Sequence, residues 1–389
     1  MRGWTDTGRG RPEVWPRGLH WLGLIAALWL TACSEPQPLR IGFVGGLSGR
    51  VSDIGVAGRN GALLAVEQAN AAGGVAGRHV ELIARDDGQR VDAAQRAVAD
   101  LLAANVELII GPMTSAMAEV VVPLTQSSGV AVISPTVTST AWTGREDNFF
   151  RVCSTTREYA QASAEYLVRQ IGQRRVAAIL DVGNRAFTED WVKHFTSALE
   201  RLGGQLVAVE RYESSMDESL QEPVARLLGA APETILVATG AVDMARISQI
   251  VRRARSDVTI LGTTWAASEE LVTIGGRAVE GALLPQFFDR KDDSPRFTAF
   301  VAAYRERFGA VPGFAAVAAY DATRLGLAGL AAGKKPGDVR RWLIGREFEG
   351  LQQHLKIDAW GDAERDIYLT QVAEGQFRLL EKLPIPRQP

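Results

Sequence analysis

From Leu39 onward the sequence alternates short, nearly all-apolar runs with helix-like stretches, and this rhythm constrains the fold more than any other feature. Runs at 39–45, 79–85, 106–110 and 130–133 read as strands. Stretches at 57–72 and 92–103, and one starting near Ser115, carry helical periodicity, the first through Leu63, Leu64, Val66 and Ala69. Apolar strands that alternate with helices imply a parallel sheet covered on both faces. After residues 149–152 the alternation starts again, with helices at 158–170, 188–202, 220–228 and 243–255 between strands at 176–180, 205–210, 234–238 and 258–262. The spacing is too long for a tandem repeat and predicts two successive α/β domains, for which 389 residues leave room. A strand at 279–284, helices at 295–308 and 314–331, and strand-like pieces at 355–358 and 368–373 follow. Such a tail is expected to complete both sheets, which requires the backbone to cross between domains more than once.

The N-terminus obeys other rules. Arg2, Arg9, Arg11 and Arg17 precede an apolar stretch from Trp21 to Ala32, shorter than the roughly 20 residues of a membrane-spanning helix. A basic flank, a short apolar run and small residues describe a secretory signal peptide. The run ends Leu30-Thr31-Ala32-Cys33, which resembles the lipobox of bacterial lipoproteins. Residues 1–32 are therefore expected to be a signal peptide, Cys33 the lipidated residue, and 33–38 a polar, proline-rich tether. Cys153 is the one other cysteine, so no intramolecular disulfide forms in the exported chain, and a buried, inert thiol is expected.

Enzyme chemistry finds little purchase. The four histidines, His20, His79, His194 and His354, have no histidine or cysteine three or four residues away. No nucleophile elbow or phosphate loop is present, and Asp86-Asp87 reads as a turn and helix cap. A net charge of -2 from 43 basic and 45 acidic residues argues against a nucleic-acid surface. What the chain does offer is hydroxyls at strand ends. Thr114 and Ser115 follow one apolar strand, and Thr136 and Thr138 follow the next. Ser115 is expected to cap the helix it opens, with free N–H groups and the Thr138 hydroxyl holding an anionic group at the sheet's carboxyl edge. On spacing alone, plain capping hydroxyls are an equal reading.

These residues belong to a wider pattern. Leu47-Ser48-Gly49, Glu67-Gln68-Ala69-Asn70, Gly73-Gly74-Val75-Ala76-Gly77, Asp86-Asp87, Ile110-Gly111-Pro112, Ile133-Ser134-Pro135, Phe150-Arg151, Val279-Glu280-Gly281-Ala282 and Ala319-Tyr320-Asp321-Ala322 occur in this order. The chain thereby resembles the periplasmic leucine/isoleucine/valine-binding proteins over nearly all of its length beyond the leader. The resemblance implies an α/β type I periplasmic-binding protein fold, two Rossmann-like lobes joined by a three-strand hinge. Lobe 1 is expected to span 39–153 plus 286–346 and lobe 2 154–285 plus 347–382, with crossovers near 152–156, 284–287 and 347–356. It further implies that Ser115, Thr136 (through its backbone) and Thr138 hold a ligand carboxylate.

The second half of the family's site is altered. Ile54 stands where amino-acid binders typically have an aromatic, Phe187 where they have a tyrosine, and Ala241 or Val242 near another tyrosine. Thr263-Thr264-Trp265 occupies the place of the acid that meets the ligand's ammonium, with Asp181, Asp243 and Glu269 as possible substitutes. The resemblance thus implies an extracytoplasmic solute-binding lipoprotein of an ABC-type uptake system. It would close on a small amino acid, amide or organic acid, with Thr114, Thr264, Phe187 and Trp265 completing the site. The expected partner is a membrane permease, with no nucleic acid, cofactor or metal, and the chain acts as a monomer. A sensor that signals occupancy to a regulator is the rival reading.

Overall fold

The computed structural model describes residues 37–383 apart from 50–51, 217–218, 256 and 334–335. The expected leader and Cys33, with most of the tether, lie outside the described residues. The chain divides into two units, Met1–Gln37 and Pro38–Pro389, and the elements named below belong to the second.

The first half builds β1 (Leu39–Gly45), α1 (Ser52–Ala71), β2 (Val80–Asp86), α2 (Val91–Ala103), β3 (Leu108–Ile110), α3 (Ser115–Thr125), β4 (Ala131–Ser134) and β5 (Phe149–Arg151). All five strands are parallel, in the order β2-β1-β3-β4-β5. The second half repeats the plan with α4 (Thr156–Arg169), β6 (Arg175–Asp181), α5 (Arg185–Arg201), β7 (Gln205–Tyr212), α6 (Gln221–Gly229), β8 (Thr234–Ala238), α7 (Ala241–Ala254), β9 (Thr259–Gly262), α8 (Glu269–Gly275) and β10 (Leu283–Gln286). Its parallel strands run β7-β6-β8-β9-β10, the same winding as the first sheet. Strands buried on both faces need no alternation, which is why they read as apolar runs.

The tail departs from expectation. The strand predicted at 279–284 starts only at Leu283, because Val279 closes a 3-10 turn and Gly281 takes a left-handed φ of 80°. Helices α9 (Pro295–Phe308), α10 (Phe314–Ala332) and α11 (Pro336–Leu343) follow. Helix α10 packs on β3, β4 and α1, so the first sheet receives helices from the tail and none of its strands. A Cβ at Gly61 would lie 2.2 Å from the Ala316 carbonyl oxygen, so α1 and α10 approach too closely for any larger residue there. Strands β11 (Glu347–Glu349), β12 (His354–Ile357) and β13 (Ala363–Glu364) form a sheet of their own. Only β14 (Ile367–Ala373) and β15 (Gln376–Leu383) return to a main sheet, antiparallel on β10. Glu374 and Gly375 join them with φ of 54° and 68°, the two left-handed residues of a tight hairpin.

The backbone therefore passes between the sheets three times, after β5, after β10 and before β14. One side chain touches all three passages. Buried Arg365 donates to the Val152 carbonyl (3.1 Å) and to Asp321 of α10 (2.6 Å), and lies over the Phe287 ring at 4.4 Å. Asp321 also accepts from the Leu351 N–H at 2.9 Å. Burial holds its carboxyl above the usual range although Arg365 pulls the other way. Asp321→Ala leaves Arg365 charged and buried, and is expected to cost about 3–5 kcal/mol of stability by urea denaturation.

Candidate functional site

In open α/β sheets of this winding, the crevice opens at the carboxyl ends of the strands where the order reverses. Here that places the ends of β3 and β4 opposite the ends of β6 and β9. Thr114, Ser115 and Thr136 from the first sheet meet Phe187, Thr264 and Trp265 from the second around one cavity. Ile54, Met113, Asn184 and Phe314 complete its lining, and its volume is about 20 Å3, room for roughly one water molecule. Six of the seven residues singled out from the sequence share this lining.

Thr138 does not. It is buried behind the cavity, where its hydroxyl accepts from Thr156 Oγ1 at 2.9 Å and its carbonyl from the Thr156 N–H at 2.7 Å. Nor does Ser115 cap α3. Thr114 stands at the N-cap without a side-chain bond to the helix, and Ser115 Oγ accepts from the Ser139 N–H at 3.4 Å. The orphan N–H of Ala116, at the start of α3, is taken by Asn184 Oδ1 from the opposite lobe at 3.0 Å. Sequence reasoning passed over Asn184; its place just after β6, level with Phe187, was the available signal.

The remaining polar groups are firmly tied. Thr136 Oγ1 donates to the Met113 carbonyl at 2.6 Å. Arg151, fully buried, donates to the Ser139 carbonyl (2.9 Å), Thr143 Oγ1 (2.8 Å) and Asp362 (2.6 Å), and so fixes the loop after β4. Across the seam, Asp190 accepts from the Thr140 N–H (2.8 Å) and hydroxyl (2.7 Å), while His194 Nε2 lies 3.2 Å from the Thr140 hydroxyl and 3.2 Å from the Asp190 carboxylate. His194 is therefore half of an interlobe contact rather than a solvated surface group. Burial works against the Asp190 charge, but these partners hold its carboxyl below the usual range.

One donor stands out. Trp265 is 7% exposed, and its indole N–H has no acceptor among the described residues. Its ring meets Phe187 edge-on, with centroids 6.0 Å apart. Among the described residues, no carboxylate lines the cavity. The acids offered as substitutes are engaged elsewhere: Asp181 accepts from Ser214 and Gly183, Asp243 from Tyr212 and Arg246, and Glu269 pairs with Arg290 at 2.6 Å. Cys153 is buried with its thiol donating to the Val137 carbonyl, and burial pushes it up to about 12.

Asp86 and Asp87 form a turn, yet Arg90 rather than either aspartate stands at the N-cap of α2. Asp86 binds the Leu47 and Gly88 N–H groups. Asp87, fully buried, binds the side chain and N–H of Gln89, and Gln89 accepts from the Thr114 hydroxyl at 2.7 Å.

Comparison with known proteins places this geometry in a class. Residues 38–376 match the family model described as periplasmic binding protein, and the chain belongs to that family, within its leucine/isoleucine/valine-binding group. The leucine-, isoleucine-, valine-, threonine- and alanine-binding protein of Pseudomonas aeruginosa is 24% identical over 83% of this chain and 87% of its own. Among solved structures, the leucine binding protein of Thermotoga maritima superposes with a TM-score of 0.82 at 24% identity, covering 89% of this chain and 98% of that one. An ABC transporter solute binding protein of Rhodopseudomonas palustris, in complex with 3,4-dihydroxy benzoic acid, also scores 0.82, at 20% identity over 91% and 99%. The type I periplasmic-binding fold expected from the sequence is the observed one. The family is one of solute-binding proteins.

Burial pushes the Asp87 carboxyl up to about 6 from an ordinary 3.8, with the charge of Asp86 adding to it. The folded chain then keeps this proton to about pH 6 while the unfolded chain loses it near 3.8. Stability contributed below pH 4 is lost as pH rises through 6, by about 2–3 kcal/mol. Asp87→Asn is expected to remove this decline from urea denaturation midpoints measured between pH 4 and 7.

Proposed function

We propose that this chain is the extracytoplasmic receptor of an ABC-type uptake system, and that it captures a compact carboxylate with an apolar body. The carrying observation is the indole N–H of Trp265, without an acceptor among the described residues, in a cavity whose other polar groups are hydroxyls, a helix N-terminus and the Asn184 amide that occupies it. Such a lining suits an acceptor on the ligand. It does not suit an ammonium, which would be buried without an anionic partner at a cost of several kcal/mol. The ligand's carboxylate would displace Asn184 from the Ala116 N–H, with Ser115 and Thr136 beside it. Phe187, Trp265 and Thr264 would cover its body, and Thr138 would anchor the loop from behind. Aromatic acids fit this description better than branched-chain amino acids. Two structural neighbours from Rhodopseudomonas palustris, one in complex with 3,4-dihydroxy benzoic acid and one with benzoate, support the class.

Entry requires the lobes to open, because about 20 Å3 admits no such ligand. The lobes divide in this reading at 39–153 plus 286–346 and 154–285 plus 347–382. Closure on the ligand is what a membrane permease would recognise. The lipid anchor at Cys33 and the cell-envelope location rest on the N-terminal motif. Among the described residues, no helix is long and apolar enough to cross a membrane.

Isothermal titration of benzoate, 4-hydroxybenzoate and leucine tests the reading. Benzoate-type acids are expected to bind, with Trp265→Phe and Ser115→Ala each weakening them by about 1–3 kcal/mol. Leucine binding tighter than every aromatic acid, or unchanged affinity in both variants, would overturn it.

A further inference from the structure

The cleft continues past Ile54 and Phe314 into a larger cavity of about 690 Å3, which Asp53 and Ser268 help to line. The hydrogen bond between those two, like that of Asn184 on the Ala116 N–H, therefore lies where a ligand can replace it. The contact of Thr140 with Asp190 and His194 is different. None of these three residues lines either cavity. Their contact joins the loop after β4 to α5, the same two elements that supply Thr136 and Phe187 to the compact site.

Each side of this contact is held in place by its own lobe. Thr140 opens a 3-10 turn, Thr140–Trp142. Behind it Arg151 donates to the Ser139 carbonyl at 2.9 Å, the Ser139 hydroxyl accepts from the Ala141 N–H at 3.3 Å, and Trp142 packs on Phe149 with centroids 5.7 Å apart. On the other side Asp190 and His194 stand one turn apart on α5, their side chains only 14% and 15% exposed, so water competes little. The Thr140 hydroxyl has one hydrogen and gives it to Asp190 Oδ1 at 2.7 Å. His194 Nε2, 3.2 Å from both oxygens, is therefore itself a donor. The Asp190 carboxylate thus gathers the Thr140 N–H and hydroxyl from one lobe and the His194 N–H from its own. Hydrogen bonds to an ionised acceptor are roughly twice as strong as neutral ones, which sets this contact above the single bond of the Asn184 amide.

We propose that Asp190, oriented by His194, is a latch that holds the two lobes together without touching the ligand. Its grip on Thr140 favours the closed arrangement by the same factor whatever the cleft contains, and so sets how often the lobes part. Asp190 is a positioning residue, acting on the loop that presents Thr136 and not on the solute. The latch presupposes the hinge-closing reading of the two lobes but not the carboxylate ligand.

Amide hydrogen exchange in the protein without added ligand, followed by NMR, tests the latch, because an amide bonded across the seam exchanges when the lobes part. The Ala116 N–H, bonded to Asn184 and not to Asp190, is the reporter. Asp190→Ala is expected to speed its exchange by about tenfold or more, and Thr140→Val, which leaves α5 intact, by about threefold. The Gly111 N–H, bonded to the Ile133 carbonyl within lobe 1, is expected to keep its rate, which separates lobe opening from a general loss of stability. Unchanged exchange at Ala116 in either variant, or an equal rise at Gly111, would overturn the latch. If Asn184→Ala then speeds exchange of the Thr140 N–H, the lobes do hinge and the latch alone is wrong. If no variant moves the amide across the seam from it, the hinge-closing reading falls as well.

Discussion

A single guanidinium holds together the place where this fold is topologically weakest. Each sheet is an α/β unit, and three chain passages join the two. Arg365 bonds to Val152 of the first passage, stacks on Phe287 of the second and belongs to the third, while its charge is met by Asp321 on the helix that backs the first sheet. The Ser154 hydroxyl binds the Arg365 backbone on both sides, and Gln353 reaches the Phe287 carbonyl. The joint is rigid in position, because a buried ion pair loses too much when one partner moves away. In the proposed closing motion, the lobes pivot about this joint rather than shear through it.

Everything on the far side of that pivot is held by weaker and more replaceable contacts. Asn184 on the Ala116 N–H, Asp190 on Thr140 and Asp53 on Ser268 are individual hydrogen bonds across the seam. Water or a ligand can substitute for each. Strong bonding at the joint and exchangeable bonding at the cleft are what a hinge-closing receptor requires. Arg151 belongs with the joint in this sense: it keeps the loop after β4 in one shape, so that Thr136 and Ser139 do not relax when the lobes part.

The compact site and the larger cavity divide the chemistry of the seam by charge. The first is built from hydroxyls, an indole N–H and a helix N-terminus, all of which favour an acceptor. The second carries carboxylates against hydrocarbon. Thr263-Thr264-Trp265 follows Gly262, and the nearest carboxylates along the seam are on α8 and at the start of α1.

Much of this was legible in the chain itself. Burial on both faces turns each parallel strand into an apolar run, so β1 and β8 were readable to the residue. Hydroxyls after β3 and β4 marked the crevice because loops there have short, fixed courses. What escaped was whatever depends on partners distant in sequence. Strand β15 is mostly exposed, without an apolar run, and becomes a strand only against β14. The tail's helices, not its strands, cover the first sheet, since only packing decides which apolar face meets which. Thr138 and Ser115 carry the same hydroxyl chemistry in the sequence, yet Thr156 draws one away from the cavity while the other lines it. Local pattern determined the elements and the edge where ligands enter; tertiary contact decided which groups remain free to bind, because a hydrogen-bonding group already satisfied by a neighbour has little left to offer a ligand.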